Sequence, residues 1–146
     1  MPIEIKDCDR GIGNYIENRG MVTDQELIDS LISHLTQDKA KFKKYKYILL
    51  DHTSLTKMEI TNETVELIAG LWADTSRINP DSIVAIVAYA AFGAGIDLLN
   101  IISRLHELFI YQSQWDIRLF RTKPQAVRWI REKVKEKFGI DDLSFC

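Results

Sequence analysis

The chain has 146 residues, of which 46% are hydrophobic and 27% charged, with 19 Lys and Arg against 21 Asp and Glu. A chain of this length buries roughly 68–70% of the surface its unfolded form exposes, enough for one core and too little for two ordinary domains. Residues 1–146 are therefore expected to form a single domain. The composition excludes disorder, coiled coil and collagen, and the near-balanced charge excludes a protein dominated by nucleic-acid binding.

Two cysteines, Cys8 and Cys146, are too few for a disulfide framework, and no Cys/His cluster has zinc spacing. Reduced thiols in a cytoplasmic protein are expected, with no metal and no cofactor. The opening segment MPIEIKDCDRG is charged early and lacks the apolar core of a secretory signal. The stretch from Ile83 to Ile102 has Asp97 as its one charged residue, but Gly93, Gly95 and Asn100 also interrupt it. It reads as a buried strand followed by a buried helix, so the chain is not expected to span a membrane.

In chain order, Ile3 to Asp7 and Ile12 to Asn18 read as two short strands of a hairpin around Gly11 and Gly13. Thr23-Asp24-Gln25-Glu26 is a capping box, in which hydroxyl and carboxylate each satisfy a free N–H at a helix start. Leu27, Leu31, Ile32 and Leu35 follow at helical spacing. The basic run Lys39, Lys41, Lys43, Lys44 and Lys46 closes that helix, with Phe42, Tyr45 and Tyr47 expected to pack beneath the lysine stems. Tyr47 to Leu50 is a short apolar strand predicted to stop at Asp51.

A helix is predicted from near Thr61, with Val65, Ile68, Ala69 and Trp72 inward, ending before Asn79-Pro80. Ile83 to Val87 is apolar at every position, as a strand covered on both faces requires, and is the expected central strand. Ile96 to Phe109 reads as a helix, Trp115 to Phe120 as an alternating strand, and Thr122-x-x-Gln125 as a second capping box with Pro124 in the first turn. The last helix turns Ala126, Val127, Ile130, Val134 and Phe138 inward. The expected fold class is α/β: a mixed, mostly parallel sheet of about five strands, with an N-terminal hairpin and about four helices packed on it.

Gly20 to Leu27 (GMVTDQEL), Leu50 to Thr61 (LDHTSLTKMEIT), Ile83 to Ala88 followed by Phe92-Gly93, and Leu119-Phe120-Arg121-Thr122 ahead of Ala126 to Ile130 occur in an order that resembles the SpoIIAA-like, STAS-related bacterial proteins. The resemblance covers nearly the whole chain. It implies a small STAS-type α/β domain, similar also to the lipid-binding lobe of CRAL-TRIO proteins, and no established activity. In the partner-switching antagonists of that family, Asp-Ser-Ser-Gly at a helix start carries the phosphorylated serine. Here Asp51 matches the strand-end Asp, and Glu59-Ile60-Thr61-Asn62 stands in place of that motif. Ile60 occupies the serine position, which leaves Thr61 as the candidate phosphoacceptor.

Ligands of open α/β sheets collect beyond the strand carboxyl ends. Three loops are expected there: Asp51 to Glu59, Ala88 to Gly95, and Phe120 to Lys123. Tyr89, Phe92, Gly93 and Gly95 suit an apolar crevice for a small apolar or anionic ligand, since glycines admit close backbone approach. Asp51, His52, Thr53 and Ser54 do not form a catalytic set, because neighbours on an extended chain point to opposite faces. Asp51 is expected to cap N–H groups of a following turn, and His52 to be a surface or hydrogen-bonded histidine.

On the helix from about Ile96 to Phe109, Leu98, Ile101, Leu105 and Leu108 form one apolar stripe and Leu99, Ile102 and Phe109 a second. Two stripes let a helix pack on its own sheet and on a second subunit, so a homodimer is expected. The functional expectation is a non-enzymatic regulatory module that binds a protein partner through Asp51, His52, Thr53, Ser54, Glu59, Thr61 and Arg121. The alternative is a small-molecule or lipid-binding module that uses the crevice.

Overall fold

The computed structural model describes residues 3–37, 39–88, 103–104, 106–108, 111 and 114–146. One five-stranded sheet organises them, formed by β1 (Ile3–Cys8), β2 (Gly13–Thr23), β3 (Tyr47–Glu59), β4 (Ile83–Val87) and β5 (Asp116–Phe120) in sequential order. β1 and β2 pair antiparallel as the expected hairpin, and every later pairing is parallel. The helices are α1 (Asp24–Gln37), the short α2 (Lys39–Lys44), α3 (Asn62–Ile78) and α4 (Lys123–Phe138). Among the described residues, no helix is long and apolar enough to cross a membrane.

Strand alternation divides the core in two. Ile16, Ile48, Leu50, Val84 and Ile86 face α1 and α3, where they meet Leu27, Leu31, Ile68 and Trp72. Tyr15, Tyr47, Leu49, Ile83, Ala85 and Val87 face α4, where they meet Ala126, Trp129, Ile130 and Val134. β4 is buried at all five positions, as its unbroken apolar run requires. Phe42 and Tyr45 are buried in the layer that meets α1 and α3 while Lys39, Lys41, Lys43 and Lys44 are exposed, and Tyr47 lies on the opposite face, against α4.

Threonines cap the starts of α1, α3 and α4. Glu26 N–H donates to Thr23 Oγ1 at 3.4 Å and Thr23 N–H to Glu26 Oε1 at 3.2 Å, closing the reciprocal box. Thr61 Oγ1 accepts from Thr64 N–H, and Thr122 Oγ1 from Gln125 N–H. α4 stops where Gly139 takes φ 70°, a left-handed conformation that side chains resist.

The basic run is helical, as α2, and residue 38, between it and α1, lies outside the described residues. Two expectations are corrected. β3 does not stop at Asp51 but runs to Glu59, because β2 continues beside it, with Arg19 opposite Ser54 through to Thr23 opposite Glu59. Leu55 and Met58 anchor this extension in the core. The expected loop from Asp51 to Glu59 is thus a strand.

The cysteines are not reduced thiols: Cys8 and Cys146 form a disulfide, their Cα atoms 5.1 Å apart. The segment after α4 folds back onto β1 because the Asp9 carboxylate gathers it. Asp9 accepts hydrogen bonds from Ser144 N–H (2.5 Å), Ser144 Oγ (2.8 Å) and Phe145 N–H (3.2 Å), and a fourth from Tyr47 Oη. Burial works against the Asp9 charge, but these donors outweigh it and hold the carboxyl below its ordinary range.

Candidate functional site

The β2–β3 ladder slips where the candidate residues begin. Glu17 pairs with Asp51 and Arg19 with Ser54, so His52 and Thr53 together oppose Asn18. Such a bulge re-aims side chains. Asp51 turns toward the α4 face and His52 toward the α1 and α3 face, so these neighbours do not bond one another.

On the α4 face, Asp51 Oδ2 accepts the Tyr15 hydroxyl at 2.5 Å, and Oδ1 accepts Thr53 N–H at 2.9 Å together with the Thr53 hydroxyl. Tyr15 Oη also reaches Glu17 at 3.2 Å, and Lys123, in the first turn of α4, lies 3.5 Å from that oxygen and 4.6 Å from the ring centroid. Burial opposes the Asp51 charge, but the bonds from Thr53 and Tyr15 win and hold its carboxyl below the usual range. Burial, then the Asp51 carboxylate, pushes the Tyr15 phenol well above its ordinary value. Asp51 therefore stays ionised and Tyr15 protonated near neutral pH, a locked pair rather than a proton-transferring one. The expectation that Asp51 caps nearby N–H groups holds, although within a strand and not a turn.

On the opposite face, His52 and Asn18 are 7% and 4% exposed inside an apolar layer. Asn18 Nδ2 lies 3.0 Å from His52 Nδ1. Asn18 Oδ1 is buried with no hydrogen-bond partner, an arrangement that costs about 1–3 kcal/mol in a dry interior. Burial lowers the His52 pKa to about 4, so the ring is neutral at pH 7. Both residues line a cavity of about 40 Å³ between the sheet and the two helices, walled by Leu27, Leu31, Met58, Ile68, Trp72 and Ile86.

The remaining expected residues do not converge on Asp51. Thr53 and Ser54 are exposed along β3, and Glu59 ends it, paired with Lys57 at 2.7 Å. The strand carries Glu59 roughly 25 Å from Asp51 at about 3.3 Å per residue. Thr61 is an exposed N-cap whose N–H donates to Asp24 Oδ1 at 2.9 Å, which ties the start of α3 to the start of α1. Ile60 packs half-buried against the core. Arg121 is exposed between β5 and α4.

Tyr89, Phe92, Gly93 and Gly95 lie outside the described residues, as do Leu98, Leu99, Ile101, Ile102, Leu105 and Phe109. Leu108 is helical and packs half-buried against the chain's own core. No cluster of metal-ligating side chains occurs among the described residues. The sequence reading missed Asn18, although its spacing with Ile16 places both on one face of β2. It also missed Tyr15 and Lys123, which are 108 residues apart and meet only in the fold.

The strand order and two-sided helix cover have known counterparts. An uncharacterised DUF3478-family protein from Shewanella loihica PV-4, described as having a SpoIIAA-like fold, matches with a TM-score of 0.52 and 15% identity, over 88% of this chain and 91% of that one. The anti-sigma factor antagonist SpoIIAA in its unphosphorylated form matches with a TM-score of 0.54 and 11% identity, over 88% and 97%. This chain has a SpoIIAA-like fold. No family model and no curated protein matches its sequence. At these identities the likeness extends to the α/β fold with its mixed five-stranded sheet, as the sequence resemblance implied.

Proposed function

We propose that the chain is a non-enzymatic regulatory module that docks a protein partner on the outer β2–β3 ribbon and the adjoining start of α3. The observation that carries this reading is the ribbon itself. β3 runs past the end of β4, whose last residue, Val87, pairs with Asp51, and its further half pairs with β2 alone among the described strands. The bond from Thr61 N–H to Asp24 braces the far end. The projection presents exposed Thr53, Ser54 and Glu59, with Met21 50% exposed on β2 and Leu67 45% exposed on α3. A surface mixing polar and apolar groups suits protein recognition. The likeness to SpoIIAA, which is named an anti-sigma factor antagonist, supports a regulatory role.

Thr61 is the proposed phosphoacceptor on this surface, and Asp51 and His52 are its structural support. The reading includes a homodimer through residues 96–109, and a chain that light scattering finds monomeric at every concentration contradicts that part. The docking surface is tested by affinity purification from the protein's own cells. Wild type is compared with a Ser54→Arg, Glu59→Lys, Leu67→Asp variant and with Glu132→Lys on the α4 face as control. A defined polypeptide retained by wild type and control and lost by the triple variant is expected. Equal retention by all three, or no polypeptide with any, contradicts the reading.

A further inference from the structure

We propose that the cavity between the sheet and α1 and α3 is a binding site for a small neutral molecule carrying a hydroxyl group, held by Asn18 and His52. The argument starts from the atoms left over at the polar pair. With Asn18 Nδ2 donating to His52 Nδ1, the imidazole proton sits on Nε2, which has no hydrogen-bond partner among the described residues, and Asn18 Oδ1 has none either. Counting the second Nδ2 hydrogen, the pair offers two donors and one acceptor. Turning the amide over reverses every role, with Asn18 Nδ2 left as donor and His52 Nε2 as acceptor, and the inventory is unchanged. A hydroxyl both donates and accepts, so it satisfies either arrangement.

Charge and size narrow the ligand further. Among the described residues no cationic or anionic side chain lines the cavity and the histidine is neutral, so a charged head group would be buried beside no counter-ion of theirs. The rest of the described wall is aliphatic or aromatic carbon, apart from the Met58 sulfur and the Trp72 indole nitrogen. A volume of about 40 Å³ corresponds to about three water-sized sites, the space of a short alcohol. A single water fills only part of this volume, so water is the competing occupant that the test below separates from an alcohol. Strand alternation gives the site a local cause: His52 follows Ile48 and Leu50 on the α1 and α3 face, and the register sets it opposite Asn18.

The test uses the full chain and 1-propanol, followed by the methyl NMR signals of Leu27, Ile68 and Met58. Saturable shifts in roughly the millimolar range are expected, and 1-chloropropane, of the same length without an O–H, binds at least about tenfold more weakly. The Asn18→Leu, His52→Phe variant loses at least about tenfold in propanol affinity but still takes up xenon, which reads the apolar walls alone. The alcohol comparison needs only wild type, so a variant that fails to fold leaves the proposal open to refutation. Exchange cross-peaks from water to His52 with no saturable propanol shift overturn it, as does equal affinity for propanol and chloropropane.

Discussion

Asn18 and His52 face one another across β2 and β3 at 3.0 Å, a neutral polar pair set in the apolar layer beneath α1 and α3. Because burial depresses the His52 pKa from 6.5 to about 4, the unfolded chain takes up a proton that the folded chain refuses between those values. The stability is fully present above pH 6.5 and is lost as pH falls toward 4, by an amount on the order of 3 kcal/mol. Burial lowers His34 and His106 in the same direction. Urea unfolding at pH 7.5 and 4.5 measures the loss, and His52→Gln is expected to flatten most of the profile. An unchanged slope in that variant contradicts the assignment.

Gly13 has no room for a side chain, because a Cβ there overlaps the Tyr47 ring, whose hydroxyl is held by Asp9. Gly13→Ala forces the ring from its place and is expected to cost about 1–3 kcal/mol, as overpacking does. A Gly13→Ala, Tyr47→Leu double variant relieves the overlap, so the two changes fail to add in denaturant unfolding.

The Cys8–Cys146 bridge closes 138 residues of sequence separation. Reduction, or Cys146→Ser, is expected to lower stability by about 2–4 kcal/mol, chiefly by freeing the unfolded chain. Intact mass under denaturing conditions checks the bridge itself, since reduction adds two hydrogens. Two thiols that react with alkylating agents before reduction contradict it.

Thr61 serves α3 as an N-cap, with Thr64 N–H bonded to its hydroxyl at 3.3 Å. Thr61→Ala is expected to cost about 0.5–2 kcal/mol and Thr61→Ser to restore most of it, measured by thermal unfolding. An unchanged melting temperature in Thr61→Ala contradicts a capping role.

What the sequence made legible were the signals carried by neighbours. The capping boxes at Thr23 and Thr122, the helix start near Thr61 and the buried run of β4 all follow from patterns within a few residues. The extension of β3 did not, because two register slips in the β2–β3 ladder shift the phase of alternation, so that Leu55 and Met58 replace positions 54 and 56 on the buried face. The bridge between Cys8 and Cys146 and the meeting of Tyr15 with Lys123 carry no local signal. His52 was legible as a hydrogen-bonded residue but not as a buried one, since a polar side chain in a bulge looks like a surface residue until its partner strand is known.

The central claim is that the β2–β3 ribbon and the start of α3 hold a protein partner. Native mass spectrometry of the protein, purified gently from its own cells, tests it most directly. The account predicts a complex containing a second kind of polypeptide, which the Ser54→Arg, Glu59→Lys, Leu67→Asp variant no longer carries. A wild-type chain found only with copies of itself, or a partner that the variant keeps, contradicts it.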